Sequence, residues 1–188
     1  EHMTPVVLLT DAYIANGSAA WRLPDLAEYP DIRPPYVTPD MAGVWTPFQR
    51  NPQTGVRYWA TPGMEGFMHR IGGLEKSNEA GAISTDPENH NLMTRLRAEK
   101  VAKIADSIPD LKVEGNQDVD LLIVGFGGTY GHLHSAMDEL NRRGKKAALA
   151  HFKFINPLPK NTEEVLRRYK NIVVAEQNMG QLAGYLRM

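Results

Sequence analysis

The last third of the chain predicts an α/β fold with an open, mostly parallel sheet. Three apolar runs, at 120–126, 147–152 and 171–175, alternate with segments whose apolar residues recur at helical spacing. Strands that are apolar along their length and separated by amphipathic helices are typical of parallel sheets covered by helices. The order predicted is strand, helix, strand, helix, strand and the start of a further helix.

The first residues predict a strand followed by a loop. The run Val-Val-Leu-Leu at 6–9 predicts a buried strand, and polar and small residues at 11–18 predict a loop. A short helix is predicted around 18–21. Both ends of the chain look cut, because a strand begins at once and the last predicted helix has no stop signal. We therefore expect a fragment of a longer protein.

Residues 24–63 hold most of the prolines of the chain. Proline at this density excludes long helices and predicts an extended connector with turns. Inside the connector, the aromatic segments 44–48 and 56–59 flank the turn-forming residues 51–55, which predicts a small β-hairpin.

A helix is predicted from Asp86 to about Ser107. Asp86 can cap its N-terminus, Pro87 suits the first turn, and the acidic Glu88 suits the positive end of the helix dipole. Four basic residues crowd its outer faces. A solvated surface is the commoner outcome of such a pattern, and binding of a phosphate or of a partner is the alternative. These residues are Arg95, Arg97, Lys100 and Lys103.

The later helices carry their own end signals. Gly144 is predicted to end the helix that follows the first strand of the sheet. Asn161 and Glu164 are spaced as a capping box at the start of the next helix.

Composition sets broad limits on function. The chain has 188 residues, a net charge of −1 and no cysteine. Near-neutral charge gives no basis for nucleic-acid or membrane-surface binding. Without cysteine, the chain alone cannot form a disulfide, a thiolate zinc site or an iron–sulfur cluster. No apolar run reaches the length of a membrane span and no signal peptide opens the chain, so a cytoplasmic protein is expected.

The glycine turn after the first strand of the sheet resembles a nucleotide-binding loop without matching one. In the dinucleotide pattern Gly-x-Gly-x-x-Gly, Tyr130 stands at the third glycine, and no acidic residue follows the second strand. No P-loop lysine closes the turn. A structural turn is the commoner interpretation, and a phosphate cradled by Gly125–Gly131 at a helix N-terminus stays open as the alternative.

No group of residues predicts catalysis. His132 and His134 are two positions apart, so on a helix they point to different faces and cannot share a metal. Glu176 and Asn178 follow the last strand, and ligands of open parallel sheets bind at the carboxyl ends of the strands. They have the best positional argument of the polar clusters.

Three separated motifs resemble the α subunit of 2-oxoacid:ferredoxin oxidoreductases, most closely the 2-oxoglutarate type. They are Asp11-Ala-Tyr-Ile-Ala-Asn-Gly-Ser18, the segment from Gly73-Leu-Glu75 to Lys100 that contains Ser84-Thr-Asp-Pro-Glu-Asn-His90, and Val173-Val-Ala-Glu-Gln-Asn-Met-Gly-Gln-Leu182. The resemblance covers essentially the whole chain.

The resemblance implies an architecture. Residues 1–25 would be the C-terminal end of a pyrimidine-binding domain for thiamine diphosphate. Residues 26–85 would be a connector with a hairpin, and 86–109 a linking helix. Residues 110–188 would be an incomplete α/β domain similar to the C-terminal domain of transketolase.

The resemblance also implies an activity, which is oxidative decarboxylation of a 2-oxoacid, 2-oxoglutarate by its closest type, to an acyl-CoA with electrons passing to ferredoxin. In this family the activating glutamate of the α subunit lies upstream of the part that matches Glu1. The β subunit holds the magnesium and diphosphate of the cofactor and the iron–sulfur cluster. We therefore expect a β-subunit partner, with ferredoxin and coenzyme A acting on the whole enzyme. We expect no catalytic residue, metal or cofactor in this chain.

Two functions follow as hypotheses. The chain is either a piece of an enzyme subunit that supports assembly and is inactive alone, or a small-ligand-binding or phosphate-binding α/β module. Candidate interface residues are Asp11, Asn16, Glu176 and Asn178, and weaker candidates for cofactor contacts are Gly127, Gly128 and Thr129.

Overall fold

The structure, a computed structural model, describes residues 1–187, which group into two compact units. One unit comprises residues 1–6 and 22–104. The other comprises residues 7–21 and those from 105 to the end of the described chain. Neither unit contains a helix in the described range that is long and apolar enough to cross a membrane.

The second unit contains a four-stranded sheet. Its strands are β1 (Val113–Gly115), β2 (Leu121–Phe126), β3 (Ala148–Phe152) and β4 (Asn171–Val174), in the spatial order β1-β3-β2-β4. The central strand β2 is parallel to both β3 and β4, whereas β1 is an antiparallel edge strand on β3. The predicted open, mostly parallel sheet is confirmed, and only the short strand β1 was not predicted.

Helices cover both faces of this sheet. The unit contains α1 (Ala12–Asn16), and α3 (Tyr130–Arg142), α4 (Thr162–Arg167) and α5 (Gln181–Leu186) follow β2, β3 and β4 in turn. Successive strand residues point to opposite faces, so two separate cores form. On one face Ile123 and Leu149 are buried with Met137 of α3. The core of the other face contains Leu122, Val124, Ala150, Phe152, Val165 of α4 and Leu182 of α5.

The ends of the later helices match the prediction in one case and contradict it in the other. Gly144 follows α3 with a φ of +75°, as a helix-ending glycine should. The capping box at Asn161 is wrong, because the Asn161 side chain makes no capping bond to α4. It accepts a hydrogen bond from the Leu111 N–H at 2.8 Å and donates one to the Leu111 carbonyl at 3.0 Å. Leu111 is buried, so its backbone groups need a partner within the protein, and the Asn161 side chain provides it.

The first unit is built around helix α2 (Pro87–Ala102). Its start is as predicted, since the Asp86 carboxylate accepts a hydrogen bond from the Glu88 N–H at 3.0 Å. The α-helical part ends at Ala102, earlier than predicted, and continues as a 3₁₀ turn over Lys103–Asp106.

The connector has less regular structure than predicted. The hairpin expected from 44–48 and 56–59 is reduced to isolated bridges, of which Arg50 with Arg57 closes the turn. Trp59 forms a bridge with Tyr36 and not with the first segment. Short 3₁₀ turns occur at Leu26–Glu28 and Pro39–Met41, in keeping with the proline content.

The N-terminal predictions are wrong in detail. Residues 6–9 form no strand and are exposed, with Val6 89% and Leu9 64% accessible. The short helix lies at Ala12–Asn16 and not at 18–21, because Asp11 is the residue that caps it, with its carboxylate accepting from the Ile14 N–H at 2.9 Å. An apolar run predicts burial only where partner strands are present, and the described residues provide none here.

Candidate functional site

The candidate site lies where the order of the parallel strands reverses. The chain passes from β2 to β3 on one side and then crosses back to β4 on the other side of β2. In open α/β sheets this switch point leaves a crevice at the carboxyl ends of the two diverging strands, here β2 and β4. Gly127–Thr129 follow β2, and Glu176–Asn178 follow β4. Two groups of predicted residues therefore flank the same crevice.

The glycine turn begins α3 through a 3₁₀ turn at Gly127–Thr129. Gly127 has a φ of +61°, which favours glycine, and Thr129 Oγ1 donates a hydrogen bond to the Phe126 carbonyl at 2.7 Å. A β-carbon at Gly128 would collide with Oδ2 of Asp11. Two candidates that are far apart in sequence, Asp11 and Gly128, are thus in direct contact.

This contact weighs against a phosphate at the turn. The Asp11 carboxylate lies at the amino end of α3, where the helix dipole favours negative charge. A carboxylate of the chain itself therefore takes the position that a bound phosphate would use. The glycines at 127 and 128 serve the turn and the close approach of Asp11.

Glu176 and Asn178 build the loop after β4. Glu176 accepts hydrogen bonds from the backbone N–H groups of Leu182 at 2.9 Å and Ala183 at 3.0 Å, which caps α5. Burial would raise the pKa of Glu176, but these donors and the Asn178 side chain hold that pKa below its usual value. Asn178 Oδ1 accepts from the Gly180 N–H at 2.8 Å.

The last candidate, Asn16, is at the end of α1. Its side-chain amide donates to the Ala12 carbonyl at 2.9 Å and is exposed. The side-chain oxygen Oδ1 of Asn16 makes no hydrogen bond within the described chain, so it is available to a partner.

A half-buried histidine next to the turn was not singled out from the sequence. His151, on β3, has its ring 5.2 Å from that of Tyr130 in an edge-to-face arrangement, and the Tyr130 hydroxyl donates to Glu114 at 2.9 Å. The Nε2 atom of His151 is buried and has no hydrogen-bond partner in the described chain. Burial lowers the pKa of His151, partly offset by the carbonyls of Phe126 and Gly127, so the ring is neutral near pH 7. The sequence offered one indication of this contact, because Tyr130 stands where the dinucleotide pattern has its third glycine and Tyr130 is the residue that packs on His151.

The arrangement provides recognition chemistry and no complete catalytic group. It offers a neutral imidazole and a phenol that donates a hydrogen bond to a carboxylate. In residues 1–187 no three metal-binding side chains converge.

A known family matches the last third of the chain, and a curated relative matches its whole length. The family described as pyruvate:ferredoxin oxidoreductase core domain II matches residues 119–187, which contain strands β2, β3 and β4 and the crevice. The 2-oxoglutarate oxidoreductase subunit KorA of Mycobacterium tuberculosis is 46% identical over 188 residues, covering 100% of this chain. The chain belongs to the α-subunit family of 2-oxoacid:ferredoxin oxidoreductases. The resemblance seen in the sequence is confirmed.

Two further relatives match most of this chain, and each relative is much longer than the part that matches. A 2-oxoacid:ferredoxin oxidoreductase α subunit of Aeropyrum pernix is 29% identical over 192 residues, covering 98% of this chain. The structure of the 2-oxoglutarate:ferredoxin oxidoreductase of Magnetococcus marinus, with 2-oxoglutarate, coenzyme A and succinyl-CoA bound, matches 87% of the chain with a TM-score of 0.76 and 28% identity. The chain spans only 28% of the length of the mycobacterial relative and 28% of the matched Magnetococcus chain.

Proposed function

We propose that the chain is part of the α subunit of a thiamine-diphosphate-dependent 2-oxoglutarate:ferredoxin oxidoreductase. The enzyme would convert 2-oxoglutarate and coenzyme A to succinyl-CoA and carbon dioxide, with two electrons passing to ferredoxin. The observation that carries this proposal is the 46% identity to a 2-oxoglutarate oxidoreductase subunit over all 188 residues. The Magnetococcus structure supports the choice of 2-oxoglutarate over other 2-oxoacids, because its named ligands include that acid.

Within the enzyme, the role of this chain would be to support a shared active site and not to supply its reacting groups. The chain has no cysteine to hold an iron–sulfur cluster. Thiamine diphosphate, magnesium and the cluster would be held with a β subunit. The protein would act in the cytoplasm.

The exposed apolar N-terminus supports a role in assembly. Val6, Val7, Leu8 and Leu9 are 64–89% accessible in a row. A contiguous exposed apolar segment is typical of a surface that another polypeptide segment covers. The proposed boundaries are the end of a pyrimidine-binding domain at 25, a connector to 85, a linking helix to 109 and the α/β domain beyond it.

The test is co-purification followed by an activity assay. A tagged α subunit that contains this chain is expressed with its β subunit, and the eluate is assayed for coenzyme-A-dependent viologen reduction. We expect a brown complex active with 2-oxoglutarate, and the chain alone should be inactive. Activity with pyruvate alone would overturn the assignment of 2-oxoglutarate as the substrate. A colourless protein without a partner would overturn the subunit assignment.

A pair of asparagine variants tests the proposed interface. Asn16 and Asn116 are both exposed, and each makes local hydrogen bonds only. If Asn16 contacts the partner, Asn16→Ala should reduce the amount of β subunit retained, whereas Asn116→Ala should not. Equal retention in both variants would remove Asn16 from the interface.

A further inference from the structure

A cluster of four cations lines one cavity in the first unit. The cavity has a volume of about 120 Å³, and its lining includes Arg50, Arg57, Arg97 and Lys100, here called the cationic pocket. Phe48 and Met93 form its apolar wall. From the sequence alone, Arg97 and Lys100 were expected to be part of a solvated helix face. The structure places them opposite two arginines of the connector that the pattern of α2 could not reveal.

Three of the four cations are half-buried and have no ion-pair partner in the described chain. Arg50, Arg57 and Lys100 are half-buried, and no carboxylate of residues 1–187 lies within ion-pair distance of any of them. Arg97 lies at the exposed edge of the pocket, and its Nη1 forms an ion pair with Glu75 Oε1 at 3.3 Å. Burying charge without a partner is costly, and like charges close together add to that cost.

The pKa directions agree with this geometry. Burial, followed by the positive charges of Arg57 and Arg97, lowers the pKa of Arg50, and the negative charge of Glu79 offsets only part of this. Burial, followed by Arg57 and Arg50, lowers the pKa of Lys100. The positive charges of the neighbouring arginines therefore disfavour the protonated form of both Arg50 and Lys100.

The side chains are held in place with donors to spare. Arg50 donates to Asn78 Oδ1 at 2.6 Å and to the Phe48 carbonyl at 3.1 Å. The Arg57 guanidinium stacks over the Phe48 ring at 4.4 Å and makes one long bond, at 3.4 Å, to the Pro47 carbonyl. An arginine has five N–H donors and a lysine has three, so most donors of Arg57 and Lys100 are unused in the described chain. The pocket is thus pre-organised to donate hydrogen bonds.

We propose that the cationic pocket binds the phosphate group of a small molecule. A phosphate carries up to two negative charges and several acceptor oxygens, and arginine forks match its geometry. The volume is roughly ten times the ~10–15 Å³ that a cavity needs to hold one water, which leaves room for one phosphate group. A single carboxylate would neutralise less of the charge. This inference does not depend on the proposed function, because it concerns residues of the first unit alone.

The site is tested by titrating phosphate into purified variants of the α subunit that contains this chain. Binding of inorganic phosphate is followed by calorimetry and by broadening of its phosphorus NMR line, with succinate as the carboxylate probe. We expect phosphate to bind, and Arg57→Gln and Lys100→Gln each to weaken binding about tenfold or more, since one charge-assisted hydrogen bond contributes that much. Arg95→Gln changes a basic residue of the same helix outside the pocket and should leave binding unchanged. Circular dichroism checks that each variant is folded, and Arg57→Lys, which keeps the charge but loses the fork, replaces Arg57→Gln if the latter unfolds.

The outcomes separate the possible occupants. Loss of phosphate binding in the pocket variants and not in Arg95→Gln would support the proposal. Phosphate that binds equally to all variants, or not at all, would overturn it. Succinate binding as tightly as phosphate, with the same dependence on Arg57, would also overturn it and identify a carboxylate site.

Discussion

Two glycines of the same turn region should respond in opposite directions to the same substitution. A β-carbon at Gly125, in the middle of the sheet, would overlap Leu133 Cδ1 of α3 and lie 2.9 Å from Thr129 Oγ1. Thr129 cannot easily move, because its hydroxyl is bonded to Phe126. Gly131 is exposed on α3 and would meet nothing within 4 Å.

The expected magnitudes follow from these surroundings. Overpacking a well-filled core costs about 1–3 kcal/mol, so Gly125→Ala should lower the free energy of unfolding of the second unit by that amount. Replacing an exposed helical glycine by alanine stabilises by up to about 0.5–1 kcal/mol, so Gly131→Ala should raise it. Urea unfolding followed by far-UV circular dichroism reports the overall change. Hydrogen exchange of the Ile123 and Val124 amides reports the sheet itself.

A double-mutant cycle identifies the cause. If the collision with Leu133 produces the loss, adding Leu133→Ala should remove most of the penalty of Gly125→Ala, with a coupling energy of about 0.5–3 kcal/mol. Additive effects of Gly125→Ala and Leu133→Ala would refute the packing argument. A stabilised Gly125→Ala variant would refute it more directly.

Three further changes have expected outcomes. Asn161→Ala leaves both backbone groups of the buried Leu111 unpaired and should lower the free energy of unfolding by about 1–3 kcal/mol in urea titration, unless a water replaces the side chain. Glu176→Gln should be less stable than the wild type near neutral pH in thermal melts. Because the pKa of Glu176 is lowered in the folded state, the difference should shrink as pH falls below its unfolded value of about 4.3, and a difference that stays constant to low pH would contradict the capping role. Phe152→Ala, at a side chain 1% exposed, should cost about 3–5 kcal/mol by the same urea assay, and a loss under about 1 kcal/mol would show that the core is not closed there.

The sheet could be predicted because its signal is local. Each of β2, β3 and β4 is apolar along its length, and each is followed by a helix with its own spacing or end signal. The start of α2 was predictable for the same reason, since Asp86, Pro87 and Glu88 are adjacent. The strand expected at 6–9 failed because a strand depends on neighbours that the local sequence does not specify.

The candidate site was only partly predictable, because its contacts join distant segments. The position of Gly127 and Glu176 at the carboxyl edge followed from strand order alone. The contact of Asp11 with Gly128 links residues more than a hundred positions apart, and nothing local to either one indicates it. The cationic pocket has the same character, since α2 shows a basic face and only the fold brings Arg50 and Arg57 to it.

The hydrogen bonds of Glu176 change how an interface test should be interpreted. Position alone made this residue a candidate for partner contact, yet its carboxylate is already engaged with the two N–H groups that begin α5. A Glu176 variant would therefore lose helix capping first, and weaker β-subunit retention could result from a displaced helix without any direct contact. Asn16 has no such second role beyond one bond to Ala12, so its substitution tests contact more directly. Partner retention should accordingly be compared between Asn16→Ala and Glu176→Gln at equal folded fraction. Loss in the Asn16 variant would support a direct contact, whereas loss in the Glu176 variant alone would not place that residue in the interface, because the displaced helix explains it equally well.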